Sequence, residues 1–240
     1  MRTKALLLAA AFAAAGVATS MAQAVYSVNA VGYVNKTLTP GFTLISNPLT
    51  AADNKISTLF NNFQGGVRDG TTVYKYIGGG FATSGFDEFG GWGGAATTTL
   101  VPGEGAFVFI PNPIGGEAPN KVLTFVGEVP QNQTSTPIPR GFSMKSSVVP
   151  QALAPDKAKN TDQSSAAIPA VDGDSIYRWI PSTRGYKTYV YTQFDPGTPG
   201  EWASGNEVGL PVMDVGEAFY YLRLGPATTW NRTFSVNNPQ

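Results

Sequence analysis

Glu104 and Glu217 open two similar segments, Gly103-Glu104-Gly105-Ala106-Phe107 and Gly216-Glu217-Ala218-Phe219. Two carboxylates are the minimum equipment of a glycoside hydrolase, one as acid and one as nucleophile or base. Their likeness has a simpler source here, because the surrounding segments repeat as well, so no catalytic residue is assigned. Asp172-Gly173-Asp174, with Asp69-Gly70 as its counterpart, offers oxygen ligands of the kind calcium takes. Asp-Gly is first of all a turn former, and no acidic array follows, so neither a metal nor a cofactor is assigned. Trp92, set in Gly90-Gly91-Trp92-Gly93-Gly94, and Trp202 are candidate platforms for a sugar ring, with Trp179 and Trp230 completing the set. The alternative is that these rings close the ends of the core. Asn35-Lys36-Thr37, Asn132-Gln133-Thr134 and Asn231-Arg232-Thr233 fit the glycosylation acceptor pattern.

The chain contains no histidine and no cysteine. The first absence removes the commonest general base and metal ligand. The second rules out disulfides, so the fold must rest on burial. No phosphate loop, nucleophile elbow or zinc motif is present. The sequence reads as a non-enzyme.

The elements that must position these residues are strands. Charged residues make up 13% of the chain, about half the usual share. Gly (28) and Pro (18) are abundant, and Thr, Val, Tyr and Phe recur, as in a protein of many short strands. Met1-Arg2-Thr3-Lys4, the apolar run Ala5 to Val17 and the small-residue site Ala22-Gln23-Ala24 read as a secretory signal over residues 1–24. The expected location is therefore secreted or at the cell surface. With Arg2 and Lys4 set aside, 14 basic residues face 16 acidic ones, a formal charge of −2. That balance suits neither nucleic acid nor an anionic membrane surface. No later stretch has the length of a membrane span.

Five segments recur in order. Gly41-Phe42-Thr43-Leu44-Ile45-Ser46 returns as Gly141-Phe142-Ser143-Met144-Lys145-Ser146, and Asp69-Gly70-Thr71-Thr72-Val73-Tyr74 as Asp172-Gly173-Asp174-Ser175-Ile176-Tyr177. The tryptophan, Gly-Glu and closing Thr-Phe segments follow suit. The expected architecture is all-β: two tandem sandwich or barrel-like units, 25–126 and 127–240. Expected strands include Val28 to Val34, Phe42 to Ile45, Thr72 to Ile77, Ala106 to Ile110 and Lys121 to Val126, with a turn or two of helix at Ser57 to Phe60. The second unit carries a polar loop from Ala154 to Ile168.

The join between the units carries the functional expectation. Lys121 to Val129 resembles the closing strand in its first half and the opening strand in its second. The chain ends, Tyr26-Ser27-Val28-Asn29 and Phe234-Ser235-Val236-Asn237, also match. One strand is therefore expected to be shared in mid-chain and cut at the termini. A cut strand leaves backbone N–H and C=O groups unpaired. They pair either within the chain or with another copy, and the second course builds a fibre, tube or lattice. Val28, Val31, Tyr33, Val34, Phe234 and Val236 are the candidate assembly residues. The leading function is an extracellular self-assembling structural subunit, its partner further copies of itself. A carbohydrate-binding surface module, with glycans as partners, is the alternative.

Val28-Asn29-Ala30-Val31-Gly32-Tyr33-Val34, Gly41 to Leu49 and Gly103 to Phe107 together resemble a family of uncharacterised secreted bacterial proteins of the Verrucomicrobia and Planctomycetes type. The resemblance implies export and brings no activity or catalytic residue. The second unit departs from the pattern at Lys145.

Overall fold

The structure is a computed structural model describing residues 30–156, 167–195 and 197–236. The expected signal segment and Val28 lie outside the described residues. The chain is all-β. Its strands are β1 (Val31–Leu38), β2 (Gly41–Ile45), β3 (Thr72–Ile77), β4 (Gly80–Asp87), β5 (Gly91–Trp92), β6 (Ala106–Ile110), β7 (Lys121–Glu128), β8 (Asn132–Ile138), β9 (Gly141–Ser146), β10 (Ser175–Ile180), β11 (Gly185–Thr192), β12 (Glu201–Ser204), β13 (Glu207–Val208), β14 (Ala218–Arg223) and β15 (Thr228–Phe234). A single turn of helix, α1 (Ile56–Leu59), follows β2. Among the described residues no helix is long and apolar enough to cross a membrane.

The strands form open antiparallel sheets, not closed barrels. A five-stranded sheet runs β2-β6-β3-β4-β5 and a six-stranded sheet runs β9-β14-β10-β11-β12-β13. Two ribbons, β1-β7 and β8-β15, accompany them. Local chemistry explains the hairpins. Gly78 and Gly79 take φ of +59° and +91° between β3 and β4, a turn that β-branched residues resist. β6 is apolar along its length because it is central and covered on both faces.

Each sheet packs one face on a ribbon. Ile45, Val73 and Val108 meet Leu38, Leu123 and Phe125, with Ile56 and Leu59 of α1 closing one side. Ile176, Phe219 and Tyr221 meet Ile138 and Trp230 in the same way. Backbone bonds from Ile56 N to Thr98 O (2.9 Å) and Ser57 N to Ala96 O (3.1 Å) moor a helix too short to stand alone.

The join differs from the expected shared strand. The stretch is two strands, β7 and β8, separated by Val129-Pro130-Gln131. Pro130 has no N–H to continue a ladder, and Asn132 turns the chain with φ of +62°. The expected unit boundary after residue 126 falls inside β7. Among the described residues the first and last strands also have partners within the chain, while Tyr26 to Asn29 and Asn237 lie outside them. β1 pairs with β7 from Val31↔Glu128 to Leu38↔Lys121, and β15 pairs with β8 from Thr228↔Ile138 to Phe234↔Asn132. Val236 N is tied to Gln131 Oε1 at 3.3 Å.

Candidate functional site

The sheets meet through their other faces. By register, Phe42, Tyr74, Tyr76, Phe81 and Phe107 have Phe142, Tyr177, Trp179, Tyr186 and Tyr220 as counterparts. These rings form the contact. Phe107 lies 5.3 Å from Trp179 and 6.1 Å from Tyr220, and Tyr76 lies 5.9 Å from Tyr220. Trp179 Nε1 donates to Phe42 O at 2.8 Å. The backbone contacts are reciprocal. Ser46 N donates to Gly216 O (3.0 Å) and Ser146 N to Gly103 O (3.1 Å). The Ser46 hydroxyl donates to Glu217 O and the Ser146 hydroxyl to Glu104 O, at 3.4 and 3.3 Å. These contacts come in matching pairs between the two sheets. Gly105 and Ala218 meet among them, because a Cβ on Gly105 would stand 2.7 Å from that of Ala218. The register therefore sets Gly105 against Ala218, with no glycine missing between the two segments.

The two glutamates lie in separate ion pairs. Glu104 accepts from Lys75 Nζ (2.8 Å) and Val101 N (3.0 Å). Glu217 accepts a forked pair from Arg178 (2.5 and 3.0 Å) and Asp214 N (3.0 Å). That fork raises the Arg178 pKa above its ordinary value, against a smaller desolvation. Each carboxylate is occupied in positioning the turn ahead of a central strand.

Two clefts open where the sheets meet. One, of about 550 Å³, lies against Lys75, Tyr76, Glu104, Arg140, Phe142 and Lys145. The second, of about 320 Å³, holds Lys36, Arg178, Trp179, Asp214 and Glu217. Burial lowers the Lys145 pKa, nearby Lys75 adds to this, and Glu104 opposes it.

The remaining candidates have structural partners. Trp202 is 2% exposed and packs on Tyr191 and Tyr221. Trp92 lies against Phe60 and Phe86, and its Nε1 donates to Asn61 Oδ1 at 2.8 Å. Of the two expected platform rings, Trp202 is thus enclosed in the second core, while Trp92 is half-buried against the first. Asp69 and Asp172 each accept a backbone N–H across a hairpin, from Glu88 and Gln193. Asp174 is fully buried on Arg223 (2.6 Å) and the Tyr221 hydroxyl (2.7 Å). Burial, with the adjacent carboxylate, pushes the Tyr221 pKa upward. Among the described residues no group of three or more acidic side chains is placed to hold a metal. In the acceptor triplets, the Asn35 and Asn231 side chains accept from Thr124 and Ser135 across their ribbons.

Of the assembly candidates, Val31, Tyr33 and Val34 lie in β1 and Phe234 in β15. The bond from Val129 N to Ala30 O (2.8 Å) fixes the ladder's phase. Hydrogen-bonded pairs then fall at Gly32, Val34, Lys36 and Leu38, and the backbone groups of Val31, Tyr33, Asn35 and Thr37 point away from β7. Among the described residues nothing bonds them. Their side chains are also the exposed ones, Val31 at 60% and Tyr33 at 73%. The far edge of β7 is covered instead, through Thr50 with Glu128 and Asn62 with Thr124. The sequence pointed to β1 through its terminal place, but the free edge follows from the ladder's phase. The clefts gave no sequence signal except Lys145, where the second unit departs from the pattern, as it also does in its long polar loop.

No protein-family model, no curated protein and no solved structure matches the chain.

Proposed function

We propose that this chain is an exported, non-catalytic structural subunit that joins further copies of itself through the outer edge of β1. The reading treats the two sheets as copies of one unit, supported by their common strand order and matched registers. The observation that carries it is a contrast between the two ribbons. β1 and β8 are counterparts, Leu38 matching Ile138 in their cores. Where β1 has Thr37 with an outward N–H, β8 has Pro137. A proline on an edge blocks strand addition, and β1 has no such block. Antiparallel pairing of β1 with another β1 about Val34 sets Val31 against Thr37, Gly32 against Lys36 and Tyr33 against Asn35. That register places no like charges face to face. Such a contact closes as a pair; growth into a fibre, tube or lattice requires β1 to meet a different edge.

Thr37→Pro tests the reading, because its N–H makes no bond among the described residues and β8 tolerates proline at the same place. Sedimentation of the wild type is expected to reveal concentration-dependent association, and the variant to remain monomeric with an unchanged urea midpoint. Electron microscopy then distinguishes pairs from extended assemblies. A wild type that stays monomeric throughout, or a variant that associates equally well, ends the proposal.

A further inference from the structure

Lys145 stands where the first sheet places Ile45, a residue fully buried in its core. The second sheet thus puts an amine at a position its counterpart gives to a hydrocarbon. Burial penalises that cation, and no side-chain or backbone acceptor bonds its Nζ among the described residues. Its nearest carboxylate, Glu104, is already bound by Lys75 at 2.8 Å, and Lys75 is itself anchored to Thr99 O at 2.5 Å. Arg140, at the turn just ahead of β9, has no ion pair among the described residues. Three cations against one carboxylate leave the larger cleft with a net charge of +2. The second cleft sets Lys36 and Arg178 against Asp214 and Glu217, a net charge of zero. Arg178 and Glu217 stand where the larger cleft has Lys75 and Glu104, so the excess comes from Lys145 and Arg140, at positions where the first sheet has Ile45 and Pro40.

The cleft walls narrow the choice of anion. Phe142 is 49% exposed and Tyr76 lies beside it, so two ring faces border the charges. The hairpin glycines Gly78 and Gly79 have nothing within 4 Å of where a Cβ would stand, which leaves the mouth open. A volume of about 550 Å³ falls within the range of small-molecule sites, roughly 300–1,000 Å³. We infer that this cleft binds a small ring-bearing organic acid, of the size and chemistry of a uronic acid. Its carboxylate meets Lys145 and Arg140, and its ring lies on Phe142 and Tyr76. The site is independent of the free edge of β1.

Titration of the full mature chain with glucuronate tests the inference, followed by calorimetry and by amide chemical shifts. Glucose serves as the uncharged probe and inorganic sulfate as the ringless one. Glucuronate is expected to saturate with a dissociation constant of about a millimolar, moving the amides of Phe142 and Ser143. Lys145→Met is expected to weaken it by about tenfold or more, as loss of a charge-assisted bond does. Lys36→Met, in the neutral second cleft, is expected to leave it unchanged. Glucose and sulfate are each expected to bind at least about tenfold more weakly. The inference is overturned if glucuronate does not saturate, if Lys145→Met binds it as the wild type does, or if sulfate or glucose binds as tightly. Shifts centred on the Lys36 cleft would also overturn it, and they remain readable if a variant fails to fold.

Discussion

Asp174 and Arg223 are the most deeply buried ion pair among the described residues, with side chains 0% and 7% exposed. Asp174 also accepts from Val171 N (3.1 Å), Leu224 N (2.8 Å) and the Tyr221 hydroxyl (2.7 Å). A carboxylate so fully bonded repays its desolvation only while every partner stays in place. Asp174→Asn keeps the shape but leaves the Arg223 cation without its counter-charge, at a cost of about 3–5 kcal/mol. The urea midpoint is expected to fall accordingly. Glu207→Gln, which breaks the solvent-exposed contact with Lys187, should leave the midpoint unmoved. Equal losses from both substitutions would mean that burial is not what makes the Asp174 pair matter. The residue-level lesson extends to the other acids. Glu104, Glu217, Asp69 and Asp172 each bond a backbone N–H at a turn, so chemistry-bearing side chains here are spent on shaping loops.

At the scale of elements, Gly105 explains why the two central-strand segments differ. β6 and β14 approach each other where the sheets meet, and a second methyl there would sit 2.7 Å from the Cβ of Ala218 and 3.2 Å from that of Met144. Gly105→Ala is expected to destabilise the chain by about 1–3 kcal/mol through overpacking. Adding Ala218→Gly leaves a single methyl in that space and should recover most of the loss, as a double-mutant cycle in urea would measure. No recovery would mean that the two positions do not share that space. β3 and β6 lie where the residue pattern puts them, and β2 begins one residue earlier, because alternation and β-branched content act locally. β8 was not legible. Its Asn132-Gln133-Thr134-Ser135-Thr136-Pro137 is polar, has little strand propensity and is held by pairing with β15 almost a hundred residues away. The likeness between Val126 to Val129 and Val31 to Val34 suggested a shared strand, whereas those segments are partners facing each other across one ribbon. The larger cleft was equally hidden, since it exists only where Lys75 of one sheet meets Lys145 of the other.

At the scale of the whole molecule, two cores and one aromatic interface must unfold together or apart. The interface buries Leu44, Phe107, Met144 and Ala218, and Tyr74, Tyr76, Trp179 and Tyr220 pack around them. Its rings come from both sheets, so loss of either sheet exposes the other's aromatic face to water. That penalty couples the two, and the wild type is expected to melt in a single transition with equal calorimetric and van't Hoff enthalpies. Phe107→Ala removes the ring that touches Phe42, Trp179 and Tyr220, at a cost of about 3–5 kcal/mol. Because the loss falls on the coupling between the cores, the melt should split into two transitions, with the first-sheet core of Val73 and Val108 and the second-sheet core of Ile176 and Tyr221 reporting separately. Val108→Ala, which opens a gap inside the first core, should instead lower one melting temperature without splitting it. A wild type that already melts in two steps would show that the aromatic interface does not couple the sheets.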